Sequence, residues 1–175
     1  ITATRAVTVL GSTGSVGRST LDVIARHRNR YRVHALSANR SVDVMLEQIQ
    51  AFSPRYAVML DEVAAETLVQ KLAETDSETI VLHGAAALES IASDSNTDTV
   101  VAAIVGAAGL LPTLAAAHSG KQLLLANKES LVMSGQLLRE AARTSGARIL
   151  PLDSEHNAIF QCLPVIAGFP GTRGV

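Results

Sequence analysis

The chain has 175 residues, a net charge of −1 and 47% hydrophobic residues, which is enough for one domain with a sizeable core. The near-neutral charge argues against partners that select a basic face, namely nucleic acid and anionic membranes, and an aromatic content of 3% leaves few platforms for stacked bases. The single cysteine, Cys162, excludes an internal disulfide and a cysteine zinc cluster, so we expect a reducing, cytoplasmic location. Because Cys162 falls in a predicted helix, we expect it in the core.

The first predicted element is an apolar strand over residues 7–10, which is followed by the turn GSTGSVG at residues 11–17 and by a helix over residues 18–26. Gly11 permits a sharp bend, Gly14 lets backbone N–H groups approach an oxygen, and Gly17 lets the helix pack closely on the strand. The dipole of the helix favours an anion at this end. The stretch therefore predicts a phosphate site, with a plain strand-to-helix connection as the alternative.

A second strand is predicted over residues 31–36, and the polar residues Asn39, Arg40 and Ser41 follow it. In dinucleotide-binding sheets this strand end meets the adenosine ribose, and an NAD site usually places a carboxylate there. The chain has no carboxylate in this stretch before Asp43, and the guanidinium of Arg40 suits a 2′-phosphate. The sequence favours NADP over NAD, with a solvated surface arginine as the alternative.

The remaining strands and helices alternate, which is typical of a parallel sheet with helices on both faces. The strand over residues 99–105 is the most apolar, so we expect it at the sheet centre. The apolar run over residues 100–117 contains two glycines and a proline, so we predict a strand, a turn and a helix there, and no membrane span. We also expect no signal peptide before the first strand. The other strands are predicted at residues 56–60, 79–82, 121–126 and 147–152. Helices are predicted at residues 42–52, 84–91, 111–118 and 154–163. Two further helices run from the cap Asp61 to about residue 74, and from the polar residues 127–130 to about residue 143.

Polar side chains follow the strand over residues 121–126, where doubly wound sheets bind their ligands. Asn127 can bond cofactor ribose or amide groups, Lys128 can pair with a substrate phosphate, and Glu129 can accept from a ribose hydroxyl. The alternative is a helix cap formed by Asn127, with Glu129 in the first turn, and both interpretations can hold together.

A carboxylate pair, Asp153 and Glu155, follows the last strand. Two carboxylates two residues apart point to the same side of an extended backbone, and they repel each other unless a cation lies between them. Oxygen ligands of this kind suit Mg²⁺ or Mn²⁺. His156 could be a further ligand, but an alternating backbone would point it away from the carboxylate pair. The alternative is that Asp153 caps the helix over residues 154–163.

Three motifs in the right order, GSTGSVG at residues 11–17, ANKES at residues 126–130 and LDSEHNA at residues 152–158, resemble the 1-deoxy-D-xylulose 5-phosphate reductoisomerase family. The resemblance covers nearly the whole chain. It implies a doubly wound, mostly parallel α/β sheet of the Rossmann type and an enzyme that requires NADPH and Mg²⁺, Mn²⁺ or Co²⁺. Such an enzyme converts 1-deoxy-D-xylulose 5-phosphate to 2-C-methyl-D-erythritol 4-phosphate in non-mevalonate isoprenoid biosynthesis, and the family is usually dimeric.

The resemblance also implies roles for individual residues. The catalytic residues would be Lys128, Asp153 and Glu155, of which Asp153 and Glu155 bind the metal. One departure is visible, because many family members have Gly-Lys-Asn where this chain has Asn39-Arg40-Ser41, which retains the cation but changes the backbone at residue 39. The substrate ligands would be Lys128, Ser154 and Glu155, and the NADPH ligands would be Gly11, Thr13, Gly14, Ser15, Val16, Asn39, Arg40, Ser41, Asn127 and Glu129.

The sequence is shorter than the family, so we expect residues 1–150 to form an NADPH-binding domain and residues 151–175 to begin an incomplete catalytic domain. A third metal carboxylate, a substrate lid and a helical C-terminal domain are expected to be missing, and this chain alone is expected to bind NADPH without turnover. Two alternatives stay open, which are another NADP-dependent dehydrogenase, such as a semialdehyde dehydrogenase, and a nucleotide-sensing domain.

Overall fold

The structure, a computed structural model, describes residues 4–162, except for the side chains of residues 131, 154–156 and 160. Within that range strands and helices alternate strictly along the chain. The strands are β1 (Arg5–Leu10), β2 (Tyr31–Ala38), β3 (Tyr56–Met59), β4 (Ile80–His83), β5 (Thr99–Ala102), β6 (Gln122–Leu125) and β7 (Arg148–Pro151). The helices are α1 (Ser15–Arg26), α2 (Val42–Phe52), α3 (Glu62–Leu72), α4 (Gly84–Ser93), α5 (Leu110–His118), α6 (Lys128–Ser145) and α7 (Ser154–Cys162), with a short 3₁₀ turn (Ala107–Gly109) before α5.

The seven strands form one parallel sheet in the order β4-β3-β2-β1-β5-β6-β7. The chain builds outward from β1 to β4, crosses back, and then builds outward on the other side of β1. This reversal confirms the predicted doubly wound α/β fold and creates a switch point between β1 and β5, where such sheets bind ligands. β1 occupies the middle position, and β5, the strand predicted at the centre, lies beside it.

The reversal also divides the helices between the two faces of the sheet, because right-handed crossovers running in opposite directions lie on opposite faces. One apolar cluster packs α1, α2 and α3 against side chains that include Val7 and Val9 of β1. The other packs α4, α5 and α6 against Leu10 of β1 and Val100 of β5. Alternate residues of β1 thus point to alternate faces, and both faces are covered.

The strand ends lie in register at the carboxyl edge of the sheet. Leu10 of β1 pairs with Ala102 of β5, Ala102 with Leu125 of β6, and Leu125 with Pro151 of β7. The loops that follow these four strands therefore leave the sheet at a common edge. β5 ends at Ala102, three residues earlier than predicted, because its partner strands end at the same level, at Leu10 and Leu125, and the chain then turns at Gly106, whose φ is +77°.

Three further predictions concern Cys162, a membrane span and the domain boundary. Cys162, expected in the core, is exposed at the end of α7, a helix that packs against the edge strand β7, where burial is incomplete. Among the residues described, no helix is both long and apolar enough to cross a membrane. The domain boundary predicted at residue 150 falls within β7 and stays a prediction.

Candidate functional site

Helix α1 presents free backbone donors at the carboxyl edge of the sheet. It begins at Ser15, three residues before the predicted start, and its first internal hydrogen bond runs from the Arg18 N–H to the Gly14 carbonyl oxygen at 2.9 Å. The N–H groups of the first helical turn, at residues 15–17, have no partner within the helix. No side chain caps this end in the described part of the chain, and the first turn holds no acidic residue. These donors are therefore available to an anion.

The three glycines of the turn have different surroundings. A Cβ on Gly17 would lie 2.5 Å from the Cα of Ser12, and Gly11 has a φ of +81° with a Cβ position 2.7 Å from the Ala103 carbonyl oxygen. Both positions thus require glycine for the fold itself. A Cβ on Gly14 would meet only the Gly11 carbonyl oxygen, at an ordinary 3.5 Å. The space beside Gly14 is open, which fits the phosphate group of a dinucleotide.

A buried polar network holds the glycine turn in place. The Gly11 N–H donates to Ser37 Oγ at 3.0 Å, and the Ser12 N–H donates to the Ser37 carbonyl oxygen at 2.8 Å. The Ser12 hydroxyl donates to Gln48 Oε1 at 2.6 Å, and Gln48 Nε2 donates back to the Ser12 carbonyl oxygen at 3.0 Å. The turn is therefore fixed from both β2 and α2.

Sequence reasoning missed this network, although one signal was available. Gln48 lies between Met45 and Ile49 on the buried face of α2, where an apolar residue is the usual choice. A buried amide of this kind needs hydrogen-bond partners, and the nearby turn supplies them.

A cavity of about 280 Å³ opens beside the turn at the switch point. Its lining comes from the glycine turn, the ends of β2 and β3, helix α4 and the loop after β5. A larger cavity of about 650 Å³ lies at the opposite edge of the sheet, and none of the predicted site residues lines it. Residues that line the smaller cavity are Gly11, Thr13, Gly14, Ser37, Ala38, Asn39, Leu60, Leu88, Ala103, Ile104, Val105 and Ala108.

Arg40 lies beyond the end of β2 and pairs with Asp61, the residue that the sequence predicts as the cap of α3. Arg40 Nε donates to Asp61 Oδ2 at 2.8 Å, while 77% of the Arg40 side chain is exposed. Asp61 Oδ1 accepts from the Ala64 N–H at 3.0 Å, which confirms the predicted cap of α3. The Ala64 N–H and the Arg40 guanidinium lower the pKa of Asp61 from its ordinary value, so this carboxylate, ionised at neutral pH in any case, keeps its charge in more acidic solution.

Asn127 connects the start of α6 to the loop after β5 and is only 2% exposed. Its Oδ1 accepts from the Ser130 N–H at 3.1 Å, which confirms the predicted cap of α6. Its Nδ2 donates to the carbonyl oxygens of Ile104 at 2.6 Å and Gly106 at 3.1 Å. Both amide protons are thus used by the loop after β5, so Asn127 braces the wall of the cavity.

The other polar residues at the start of α6 differ in exposure. Lys128 is exposed and Glu129 is half-buried, so both side chains can reach a bound molecule. Ser130 is fully buried, and its hydroxyl has no hydrogen-bond partner within the described residues. The end of β6 therefore combines one structural amide with two accessible charges.

The predicted metal residues lie at the same edge of the sheet. Asp153 follows β7, and its carbonyl oxygen accepts from the Asn157 N–H at 2.9 Å, which places Asp153 at the start of α7. Three strand spacings of about 4.8 Å separate β1 from β7, so Gly11 and Asp153 stand on the order of 14 Å apart along this edge. The side chains of Ser154, Glu155 and His156 lie outside the described residues. Among the described residues no three histidine, cysteine or acidic side chains form a metal-ligand group.

Comparison with known proteins agrees with this architecture. Residues 7–135 match the model of the 1-deoxy-D-xylulose 5-phosphate reductoisomerase family. The reductoisomerase of Nitrosococcus oceani is 61% identical over 158 residues, which cover 90% of this chain and 40% of that protein.

Two solved structures have the same fold over most of this chain. The reductoisomerase from Zymomonas mobilis in complex with NADPH has 47% identity and a TM-score of 0.88, and it covers 93% of this chain and 42% of its own. A reductoisomerase in complex with NADPH, fosmidomycin and magnesium has 52% identity and a TM-score of 0.89, covering 92% of this chain and 39% of its own. The chain spans about 40% of the length of these relatives, and it belongs to the 1-deoxy-D-xylulose 5-phosphate reductoisomerase family.

Proposed function

We propose that this chain is the NADPH-binding part of an enzyme that converts 1-deoxy-D-xylulose 5-phosphate to 2-C-methyl-D-erythritol 4-phosphate in non-mevalonate isoprenoid biosynthesis. The observation that carries the proposal is the uncapped start of α1, which meets an open cavity at the switch point with Arg40 beyond it. Family membership favours this function over another NADP-dependent dehydrogenase and over a nucleotide sensor.

The cofactor residues fall into three groups along the carboxyl edge. The open space beside Gly14 receives the phosphates, which accept from the N–H groups at the start of α1, and the end of β2 binds the adenosine end with its 2′-phosphate. The residues after β6 contact the ribose or border its site, with Asn127 acting through the loop that it braces. When bound, NADPH supplies the hydride for the reduction. The proposed cofactor-site residues are Gly11, Thr13, Gly14, Ser15, Val16, Asn39, Arg40, Ser41, Asn127 and Glu129. Of these, Gly11 and Asn127 use their N–H groups within the protein and so shape the site rather than donate to the cofactor.

The substrate is a phosphorylated ketose, and we propose that it binds between α6 and α7. The exposed ammonium of Lys128 pairs with an anionic group of the substrate as a compact charge. Ser154 and Glu155 complete the substrate contacts, and Asp153 and Glu155 hold Mg²⁺ or Mn²⁺, with Co²⁺ as a further possibility. The donor chemistry supports this assignment because carboxylate oxygens are the ligands these cations prefer. A divalent cation in this position acts as a Lewis acid on the substrate.

The remaining proposals concern the domain boundaries, the oligomeric state and the location of the protein. We propose that residues 1–150 bind the cofactor and that residues 151–175 begin the catalytic domain, so that this chain binds NADPH and a longer chain is needed for turnover. We also propose a homodimer in the cytoplasm. Exposed apolar side chains on α6, namely Val132, Met133 and Leu137, support a covered interface in the assembled protein.

Cofactor preference tests the proposal without the full reaction. NADPH and NADH are titrated separately into this chain, and we expect NADPH to bind at least about tenfold more tightly, because Arg40 meets the extra phosphate. Arg40→Ala is expected to weaken NADPH binding about tenfold to a hundredfold and to leave NADH binding unchanged. Calorimetry or cofactor fluorescence measures both dissociation constants.

The matched control is Arg139→Ala, which removes the same charge from an exposed position in the second half of α6. It is expected to change neither affinity. Equal affinity of the unmodified chain for the two cofactors would contradict the proposed NADPH site.

A further inference from the structure

We propose that Asp61 is a positioning residue for the cofactor, which holds Arg40 in the orientation that meets the 2′-phosphate and thereby strengthens the preference for NADPH. The inference rests on the proposed function, because it concerns the adenosine end of the same site. Asp61 lies at the start of α3, on a different element from every proposed cofactor ligand.

Asp61 is itself held rigidly. One carboxylate oxygen accepts from the Ala64 N–H at 3.0 Å, and the backbone N–H of Asp61 donates to the Asn39 carbonyl oxygen at 3.3 Å. The preceding residue is also fixed, because the Leu60 N–H donates to the Ala38 carbonyl oxygen at 2.9 Å. The carboxylate is therefore anchored both to α3 and to the strand end that leads into Arg40.

The second carboxylate oxygen of Asp61, Oδ2, contacts one of the three guanidinium nitrogens of Arg40. It accepts from Arg40 Nε at 2.8 Å, so the two Nη groups, with four N–H donors between them, can turn toward a phosphate. An exposed arginine without such an anchor samples many rotamers and loses that freedom when it binds. Asp61 removes part of this loss in advance, because it orients Arg40 before the cofactor arrives.

The negative charge of Asp61 has an opposing effect, since a carboxylate near a phosphate repels it. Two features weaken that repulsion. The carboxylate caps a helix N-terminus, where the dipole stabilises negative charge, and it is paired with the guanidinium of Arg40. Only 22% of the Asp61 side chain is exposed, and its lowered pKa extends the ionised form to more acidic solution, so the anchor is charged at neutral pH and below it. We therefore expect orientation to outweigh repulsion.

Asp61→Asn tests the inference, because asparagine caps a helix as well as aspartate does but lacks the charge that holds Arg40. Dissociation constants of NADPH and NADH are measured for this variant of the chain by calorimetry. We expect the NADPH constant to rise about fivefold to tenfold and the NADH constant to stay within about twofold. In an Arg40→Ala background the same substitution is expected to have no further effect on NADPH, as a double-mutant cycle requires for coupled residues.

Asp22→Asn is the matched control, because Asp22 also pairs with an arginine at 2.8 Å, Arg26 on α1, but does so at an exposed position away from the cofactor residues. It is expected to leave both cofactor affinities unchanged. The inference is overturned if Asp61→Asn leaves NADPH affinity unchanged, tightens it, or weakens NADPH and NADH equally. An unmodified chain that does not prefer NADPH would overturn the proposed function and this inference together, whereas a normal preference with an inert Asp61→Asn overturns the inference alone.

Discussion

Gly17→Ala is expected to reduce the free energy of unfolding by at least about 3 kcal/mol, or to prevent folding. The added Cβ would overlap the Gly11 carbonyl oxygen and the backbone of Ser12, at 2.5 Å from its Cα. Both contacts are with backbone that is already fixed by hydrogen bonds to Ser37, so the turn cannot move aside without losing them. Urea denaturation followed by circular dichroism measures the change.

Gly14→Ala is the control, and it separates the fold from the ligand site. Gly14 has a φ of −76° and open space beside it, so alanine fits and the stability changes by no more than about 1 kcal/mol through the weaker helix cap. NADPH affinity is nevertheless expected to fall at least about tenfold, because a methyl group enters the space assigned to the phosphate. Equal stability of the Gly17 and Gly14 variants would contradict the packing argument, and unchanged NADPH affinity in Gly14→Ala would contradict the phosphate assignment.

Asn127→Asp is also expected to reduce the free energy of unfolding strongly. Aspartate keeps the shape and the cap of α6, but a carboxylate has no proton to donate to the carbonyl oxygens of Ile104 and Gly106. The side chain is nearly fully buried, so the unpaired oxygens face each other without water. We expect a loss of about 3 kcal/mol in unfolding free energy, together with weaker NADPH binding as the loop after β5 moves.

The exposed Asn29 provides the control, because Asn29→Asp makes the same chemical change in a turn open to water. Its effect is expected to stay within about 0.5 kcal/mol. Thermal unfolding and NADPH titration are measured for both variants. An Asn127→Asp chain as stable as the Asn29→Asp chain would show that the amide does not brace the loop.

The sequence was sufficient for features that depend on neighbouring residues. The glycine turn, the cap of α3 by Asp61 and the cap of α6 by Asn127 are local patterns, and the structure contains each of them. The alternation of strands and helices likewise determined the parallel sheet, because parallel strands need crossover connections. Helix α2 has the bounds that its apolar periodicity predicts.

The features that escaped prediction join residues that are distant in the sequence. Gln48 reaches Ser12 across 36 positions, and Arg40 reaches Asp61 across 21. These contacts depend on how α2 and α3 pack against the sheet, which hydrophobic periodicity does not specify in such detail. The exposure of Cys162 was missed for the same reason, because an apolar residue in a helix is buried only where another element covers it.

We expect the dinucleotide to bind across the switch point, with its phosphates on the start of α1. The test is an NADPH titration of the ¹⁵N-labelled chain, followed through the backbone amide resonances. We expect the largest shifts at residues 11–17, with further shifts at residues 39–41 and 103–109. Shifts confined to the opposite edge of the sheet, around Arg32, Arg55 and Thr79, would place the cofactor in the larger cavity and contradict binding at the switch point.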